Sequence, residues 1–198
     1  MLRSFFSTAL KEAQQFGPSD ARVAVSLSNL SQLYKAQGKF AQSAALAQRA
    51  LLMTERSPGA KEKNIALLLN NLAGLRQDQG KYNDAAGLFK RAIALQEKAK
   101  DPDLAFTLNN LASLYQSQAK YSEAEPLLKR SLTILEASKG PNSLSVAPSL
   151  SNLAELYASQ GKYAKAQPLF EKALSIYDAA LGVNHPDVCR TLLSLASV

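Results

Sequence analysis

The amino-acid sequence predicts an all-α protein, a solenoid of antiparallel helix hairpins, and three observations carry the prediction. Asn152–Leu174 reads NLAELYASQGKYAKAQPLFEKAL, and Asn29–Leu51, Asn71–Ile93 and Asn110–Leu132 say nearly the same thing. The Asn-Leu pairs start at 29, 71, 110 and 152, in steps of 42, 39 and 42 residues. A period in this range marks stacked supersecondary units. Within each unit, large apolar residues recur at the i, i+3, i+4 spacing of one helix face. Each unit is also interrupted midway by a glycine or alanine turn and bounded by Pro- and Gly-containing breakers.

Met1–Gly17 has a basic, Ser- and Phe-rich start that resembles a transit peptide. Phe5…Gly17 lies in register with Phe170…Gly182, however, so residues 1–18 are read as a half-repeat helix. Full repeats are expected at 20–56, 61–99, 102–138 and 143–181. Their first helices carry Leu30, Leu33 and Tyr34; Leu72 and Leu75; Leu111, Leu114 and Tyr115; Leu153, Leu156 and Tyr157. Ser31, Ala73, Ala112 and Ala154 sit between these, where a neighbouring helix must approach closely. The first helix ends at Gly38, Gly80 and Gly161, a residue that tolerates the left-handed C-terminal conformation. Ala119 stands there in repeat three, and suits positive φ less well.

The second helices begin near Phe40, Tyr82, Tyr121 and Tyr163. They carry Ser43, Ala85, Ala124 and Ala166 at close-packing positions and Ala47, Phe89, Leu128 and Phe170 as fillers. Pro126 and Pro168 are expected in the first turns, where a missing amide donor costs little. Residues 185–198 match the opening of a further first helix, with Ser194 in the asparagine position. Both ends thus read as cut from a longer array, or as those of a short protein that stops mid-repeat.

The chain is 46% hydrophobic and 20% charged, the composition of a folded domain. Its formal net charge of +7 favours acidic partners and non-specific nucleic-acid contact. The cations recur at fixed structural places, however: Lys39, Lys81, Lys120 and Lys162 in the turns, and Arg49, Arg91, Arg130 and Lys172 on the second helices. That is scaffold chemistry, so no specific nucleic-acid partner is expected. No apolar run approaches a membrane span, and a cytoplasmic location without membrane association is expected. The lone Cys189 excludes an intramolecular disulfide framework and is read as a packing residue.

The recurring Asn-Leu-Ala-x-Leu-Tyr, Gln-Gly-Lys-Tyr and Ala-x-Pro-Leu-x-x-Arg-Ala-Leu elements resemble the tetratricopeptide repeat. More narrowly, they resemble its long variant of about 42 residues found in kinesin light chain, to which Thr107-Leu-Asn-Asn-Leu-Ala and His185-Pro186-Asp187-Val188 also belong. The resemblance covers essentially the whole chain. It implies a right-handed superhelical α-solenoid with a concave face lined by the first helices. Departures are Arg76 in place of the aromatic residue, Ala119 in place of glycine and the 39-residue step.

No catalytic constellation is present. His185 precedes Pro186 in a linker and reads as a turn and helix-start residue. No Cys/His cluster has zinc spacing and no glycine-rich phosphate loop occurs. The expectation is therefore a non-catalytic scaffold or adaptor, with no cofactor and no metal, that holds a linear, acidic peptide in its groove. The resemblance places Asn29, Asn71, Asn110 and Asn152 on or beside that groove, with Asn70 and Asn109 preceding two of them. An asparagine offers both donor and acceptor groups, so a ladder could bond a peptide backbone regardless of sequence; equally, it could set the stacking of the hairpins. Lys35 and Arg76 are the candidate carboxylate contacts. Variable positions on the same face are Gln32, Gly74, Ser113 and Glu155; Lys35, Gln77, Gln116 and Ala158; and Val25, Leu67, Phe106 and Pro148. Alternatives are a structural spacer that self-associates through its terminal half-repeats, or a regulatory segment of a larger signalling protein or enzyme.

Overall fold

Three-residue turns join the helices in pairs. The computed structural model describes residues 21–198, so the half-repeat helix expected at 1–18 and the start of the repeat expected at 20–56 lie outside the described residues. Among the described residues there are nine helices and no strand: α1 (Ala21–Ala36), α2 (Phe40–Arg56), α3 (Glu62–Asp78), α4 (Tyr82–Ala99), α5 (Leu104–Ser117), α6 (Tyr121–Lys139), α7 (Ala147–Ser159), α8 (Tyr163–Leu181) and α9 (Pro186–Ala196). Helices α1/α2, α3/α4, α5/α6 and α7/α8 form hairpins, and α9 packs on α8. The chain forms two compact units, Met1–Asp101 and Pro102–Val198.

Each hairpin turn follows from its sequence. Gly38, Gly80 and Gly161 take φ of 71°, 72° and 69°, and Ala119 takes 56°. Their amides bond the carbonyl three residues back, and the following lysine amide reaches five back. Examples are Lys39 N to Tyr34 O and Lys120 N to Tyr115 O, both 2.9 Å. This pair of bonds satisfies carbonyls that a helix end otherwise leaves open. The same lysines fold back over the tyrosine of their own first helix. Lys39 lies 5.7 Å from the Tyr34 ring centre, Lys120 6.0 Å from Tyr115 and Lys162 6.0 Å from Tyr157. Such a contact stabilises by about 0.5–1 kcal/mol at an exposed site. In repeat two Arg76 occupies the aromatic position and donates instead to Gln79 Oε1 at 3.1 Å.

The core is built where the apolar spacing places it. Leu69, Leu72 and Leu75 of α3 and Leu108, Leu111 and Leu114 of α5 are buried, as are Phe89, Leu128 and Phe170 from the second helices. Each such side chain contributes roughly 1.5–3 kcal/mol of hydrophobic stabilisation. Ala73 and Ala85, Ala112 and Ala124, and Ala154 and Ala166 hold corresponding places in the two helices of their hairpins, all fully buried. In repeat one this pair is Ser31 and Ser43. Ser31 Oγ donates to Ser43 O at 2.9 Å and Ser43 Oγ to Ser31 O at 2.7 Å, so both buried hydroxyls are satisfied.

Neighbouring second helices are tied within each unit by the recurring cations: Arg91 to Glu55 at 2.5 Å, and Lys172 to Glu136 at 2.8 Å. Exposed pairs of this kind contribute about 0–1 kcal/mol, so burial, not charge, holds the stack.

Two sequence expectations are corrected. Pro126 and Pro168 are the sixth residues of α6 and α8, in the second turn rather than the first. Both are exposed, so the carbonyl left without a helical donor can turn to water. Cys189 is exposed, because Val188 and Thr191 take the buried positions of α9. Among the described residues no helix is long and apolar enough to cross a membrane.

Candidate peptide-binding face

The helical period that buries one face of each first helix leaves another open. On α5 this stripe is Phe106, Asn110, Ser113 and Ser117. On α7 it is Pro148, Asn152, Glu155 and Ser159; on α3 it is Leu67, Asn71, Gly74 and Asp78; on α1 it is Val25, Asn29 and Gln32. All are exposed or half-buried. The residues that open the stripes are apolar yet open, with Val25 59%, Leu67 57% and Phe106 45% exposed.

Asn29 and Asn110 are exposed on these stripes, and Asn71 and Asn152 are half-buried. Among the described residues, the side chains of Asn29, Asn71 and Asn152 make no hydrogen bond to the stack. The polar stacking bonds come from elsewhere: Gln79 Nε2 to Phe40 O at 3.0 Å, Gln116 Nε2 to Asn152 O at 3.2 Å and Ser131 Oγ to Ala105 O at 2.7 Å. Asn109 corrects the expected ladder. It is 7% exposed and donates Nδ2 to Ser149 Oγ at 2.5 Å. Adjacent helical residues point about 100° apart, so Asn109 cannot share the face of Asn110. Asn70 is half-buried and turned from Asn71 in the same way.

The two candidate cations differ. Lys35 reaches across Gly74 to pair with Asp78 at 3.0 Å; a Cβ at Gly74 would stand 3.8 Å from its Nζ. Arg76 keeps its charge unpaired by any carboxylate among the described residues, bonded only to Gln79. The basic excess itself is localised. Met1–Asp101 holds fifteen Lys and Arg against eight Asp and Glu, while Pro102–Val198 holds eight of each.

Recesses open beside the stripes. In the first unit, Val25 and Asn29 of α1, Thr54 of α2 and Asn64 and Leu67 of α3 line a cavity of about 290 Å³. In the second, a cavity of about 510 Å³ lies between α7, the end of α8 and α9. Pro148, Ser151, Asn152 and Glu155 line one side, Tyr177 and Leu181 another, and His185, Asp187 and Arg190 the third. Burial in this recess pushes the Glu155 carboxyl up, and the Arg190 charge only partly offsets that. Burial also raises the Tyr177 phenol. Arg190 is committed to Asp187 at 2.5 Å. His185 is the N-cap of α9, its Nδ1 accepting from Asp187 N at 3.2 Å, which agrees with its reading as a helix-start residue. The recess was not evident in the sequence, because its walls come from positions spread over Leu144 to Arg190. Among the described residues no group of three His, Cys, Asp or Glu could hold a metal ion.

Two family models, both described as tetratricopeptide repeat, match the sequence. One covers residues 64–137 and 140–198, the other 23–59. No curated protein matches the sequence. Among solved structures, BtubC (BKLC) from P. vanneervenii superposes with a TM-score of 0.87 at 24% identity, over 98% of this chain and 80% of that one. A putative kinesin light chain with nearly identical TPR-like repeats from Podosopora anserina gives 0.73 at 23% identity, over 91% and 85%. Aspartyl phosphate phosphatase F from Bacillus subtilis gives 0.84 at 21% identity, over 96% of this chain and 49% of that one. These likenesses show the fold, an all-α solenoid of helix hairpins. With family models matched over more than half its length, the chain belongs to the tetratricopeptide repeat family.

Proposed function

We propose that this chain is a protein-interaction scaffold whose first-helix stripes bind an extended peptide segment of another protein. The observation that carries the reading is the set of asparagines at one place in every repeat. They stand on the open face, and at 29, 71 and 152 their amides are left over from the stacking bonds made by Gln79, Gln116, Asn109 and Ser131. Amides so placed can donate to and accept from a peptide backbone, as an added strand would in other recognition modes. The acidic preference expected from Lys35 and Arg76 narrows to Arg76, since Asp78 already neutralises Lys35.

The test is a peptide-array screen of the full chain at low and physiological salt, with Asn29→Ala/Asn71→Ala as the comparison. Loss of each amide bond should weaken specific binding by about 0.5–1.5 kcal/mol, while helicity and melting stay unchanged. A large fall in melting temperature would show that the asparagines hold the stack. Hits that track peptide charge alone and vanish with salt would overturn the reading.

One observation favours self-association as a second reading. Helix α9 leaves Leu192 47% and Leu193 74% exposed. Sedimentation across a concentration series, with Leu193→Lys as control, separates a dimer from a monomeric scaffold.

A further inference from the structure

We propose that the recess between α7, α8 and α9 is a pocket for a basic side chain, lysine or arginine, of the bound peptide. This rests on the peptide-binding reading of the stripes and adds to it the chemistry of one residue of the ligand.

Glu155 is the one ionisable residue on the α7 stripe, and it opens into the recess. Among the described residues no cation lies within ion-pair distance of it. Arg190, which shares the cavity, is already held by Asp187. Besides His185, which caps α9, the ionisable groups lining the recess are two carboxylates and one guanidinium, so the carboxylates outnumber the cation by one. The unit around it supplies no basic surplus to repel a cation, since its Lys and Arg number the same as its Asp and Glu.

A second observation is independent of that charge. Ser151 also lines the cavity and is 9% exposed, and its Oγ has no hydrogen-bond partner. The Tyr177 hydroxyl is near enough for Ser151 to hold its phenol down slightly, but the pair lies outside ordinary hydrogen-bond geometry. A buried hydroxyl left unsatisfied is unfavourable, and this one belongs to a residue that borders the cavity. An ammonium or guanidinium group supplies several donors and no acceptor, which suits a carboxylate and a hydroxyl oxygen together.

The walls fit the rest of such a side chain. Leu144, Pro148 and Leu181 border the recess, and an aliphatic stem lies readily along apolar surface while its head meets polar groups. An acidic side chain would instead face Glu155 and Asp187 with the only cation taken. An apolar one would strip water from Glu155 and return no hydrogen bond. The raised pKa of Glu155 is consistent with this: the carboxylate is held in a place that a counter-charge would stabilise.

The experiment is a positional-scanning peptide array read with the labelled full chain and with Glu155→Gln, followed by fluorescence-polarisation titration of the best peptides. Lysine and arginine should be enriched at one position on the wild-type chain. Changing that residue to glutamine should weaken binding about tenfold, as should Glu155→Gln on the protein. Removing both should cost little more than removing one. Glu155→Gln is expected to fold at least as stably, since it removes a carboxylate held in an unfavourable place, and a melting curve checks this. Enrichment of basic residues that persists unchanged in Glu155→Gln would overturn the pocket. So would specific binders, sensitive to Asn29→Ala/Asn71→Ala, that show no basic preference; the stripe reading would then survive alone. If no peptide binds specifically, both fall.

Discussion

The turn at Ala119 offers a stability prediction that can be worked from backbone geometry alone. Three of the four hairpin turns place glycine at φ near 70°, and repeat three places alanine at 56° with the same pair of backbone hydrogen bonds. A left-handed residue with a Cβ is less stable by roughly 1–2 kcal/mol. Glycine gives back part of this through the larger entropy of its unfolded chain, about 0.4–1 kcal/mol. Ala119→Gly should therefore stabilise by about 0.5–1 kcal/mol. Contact does not complicate the reverse change, because a Cβ at Gly38, Gly80 or Gly161 would meet nothing within 4 Å. Gly161→Ala should then destabilise by the same amount in the same unit. Urea unfolding with hydrogen exchange at the α5–α8 amides reads both, and the local probe matters because repeat arrays need not unfold as one. A lower midpoint for Ala119→Gly, or an unchanged one for Gly161→Ala, would refute the argument that φ alone decides these turns.

Ala124 is fully buried between α5 and α6, so Ala124→Leu should destabilise by roughly 1–3 kcal/mol through overpacking; an unchanged melting temperature would put the helix register in error. Glu125 pairs with Lys129 at 2.6 Å and accepts from the Tyr157 hydroxyl at 3.0 Å, and these contacts, Lys129 first, hold its carboxyl below the ordinary range. A folded pKa below the unfolded one gives stability that is present above the ordinary glutamate value and lost as pH falls through the lowered one. Between roughly pH 6 and pH 3 the urea midpoint of Glu125→Gln should fall less steeply than that of the wild type; parallel curves would show the contacts to be inert. Asp78→Asn removes the partner of Lys35 and should strengthen binding of acidic peptides several-fold at low salt, with a stability change under about 1 kcal/mol; unaltered binding would mean that Lys35 does not face the ligand.

The hairpins were legible because their determinants are local and repeated. The 42-residue period, the small residues between large ones and the turn glycine each act within one hairpin, so four copies reinforce one another. The recurring cations were legible as scaffold for the same reason, and the Lys–Tyr contacts and the Glu55–Arg91 and Glu136–Lys172 pairs show what they do. The site was legible only in part. Pairing Asn109 with Asn110 overlooked the 100° that separates adjacent helical residues, a signal the sequence did contain. The partner of Lys35 lies 43 positions away on the next first helix, and the recess joins residues of three helices with the segment before α7. Nothing in local periodicity reports such distances.

The same backbone position therefore carries opposite chemistry in the two units, and this bears on how selectivity could arise in a repeat. Three residues after each asparagine stand Gln32, Gly74, Ser113 and Glu155. At 74 the missing side chain leaves a path for Lys35 to reach Asp78, so the stripe of that unit quenches its own charge. At 155 a carboxylate occupies the place, and α9 supplies an arginine already spent on Asp187, so the charge stays open. On the reading proposed above, the asparagines at 29, 71 and 152 would each offer a peptide the same amide, which could grip a backbone but not tell one side chain from another. Discrimination must then come from the neighbours that do vary, and it depends on which of them the stack has already satisfied. A polar residue paired within the stack contributes stability and no selectivity. Lys35 is of that kind; Glu155 and Ser151 are not.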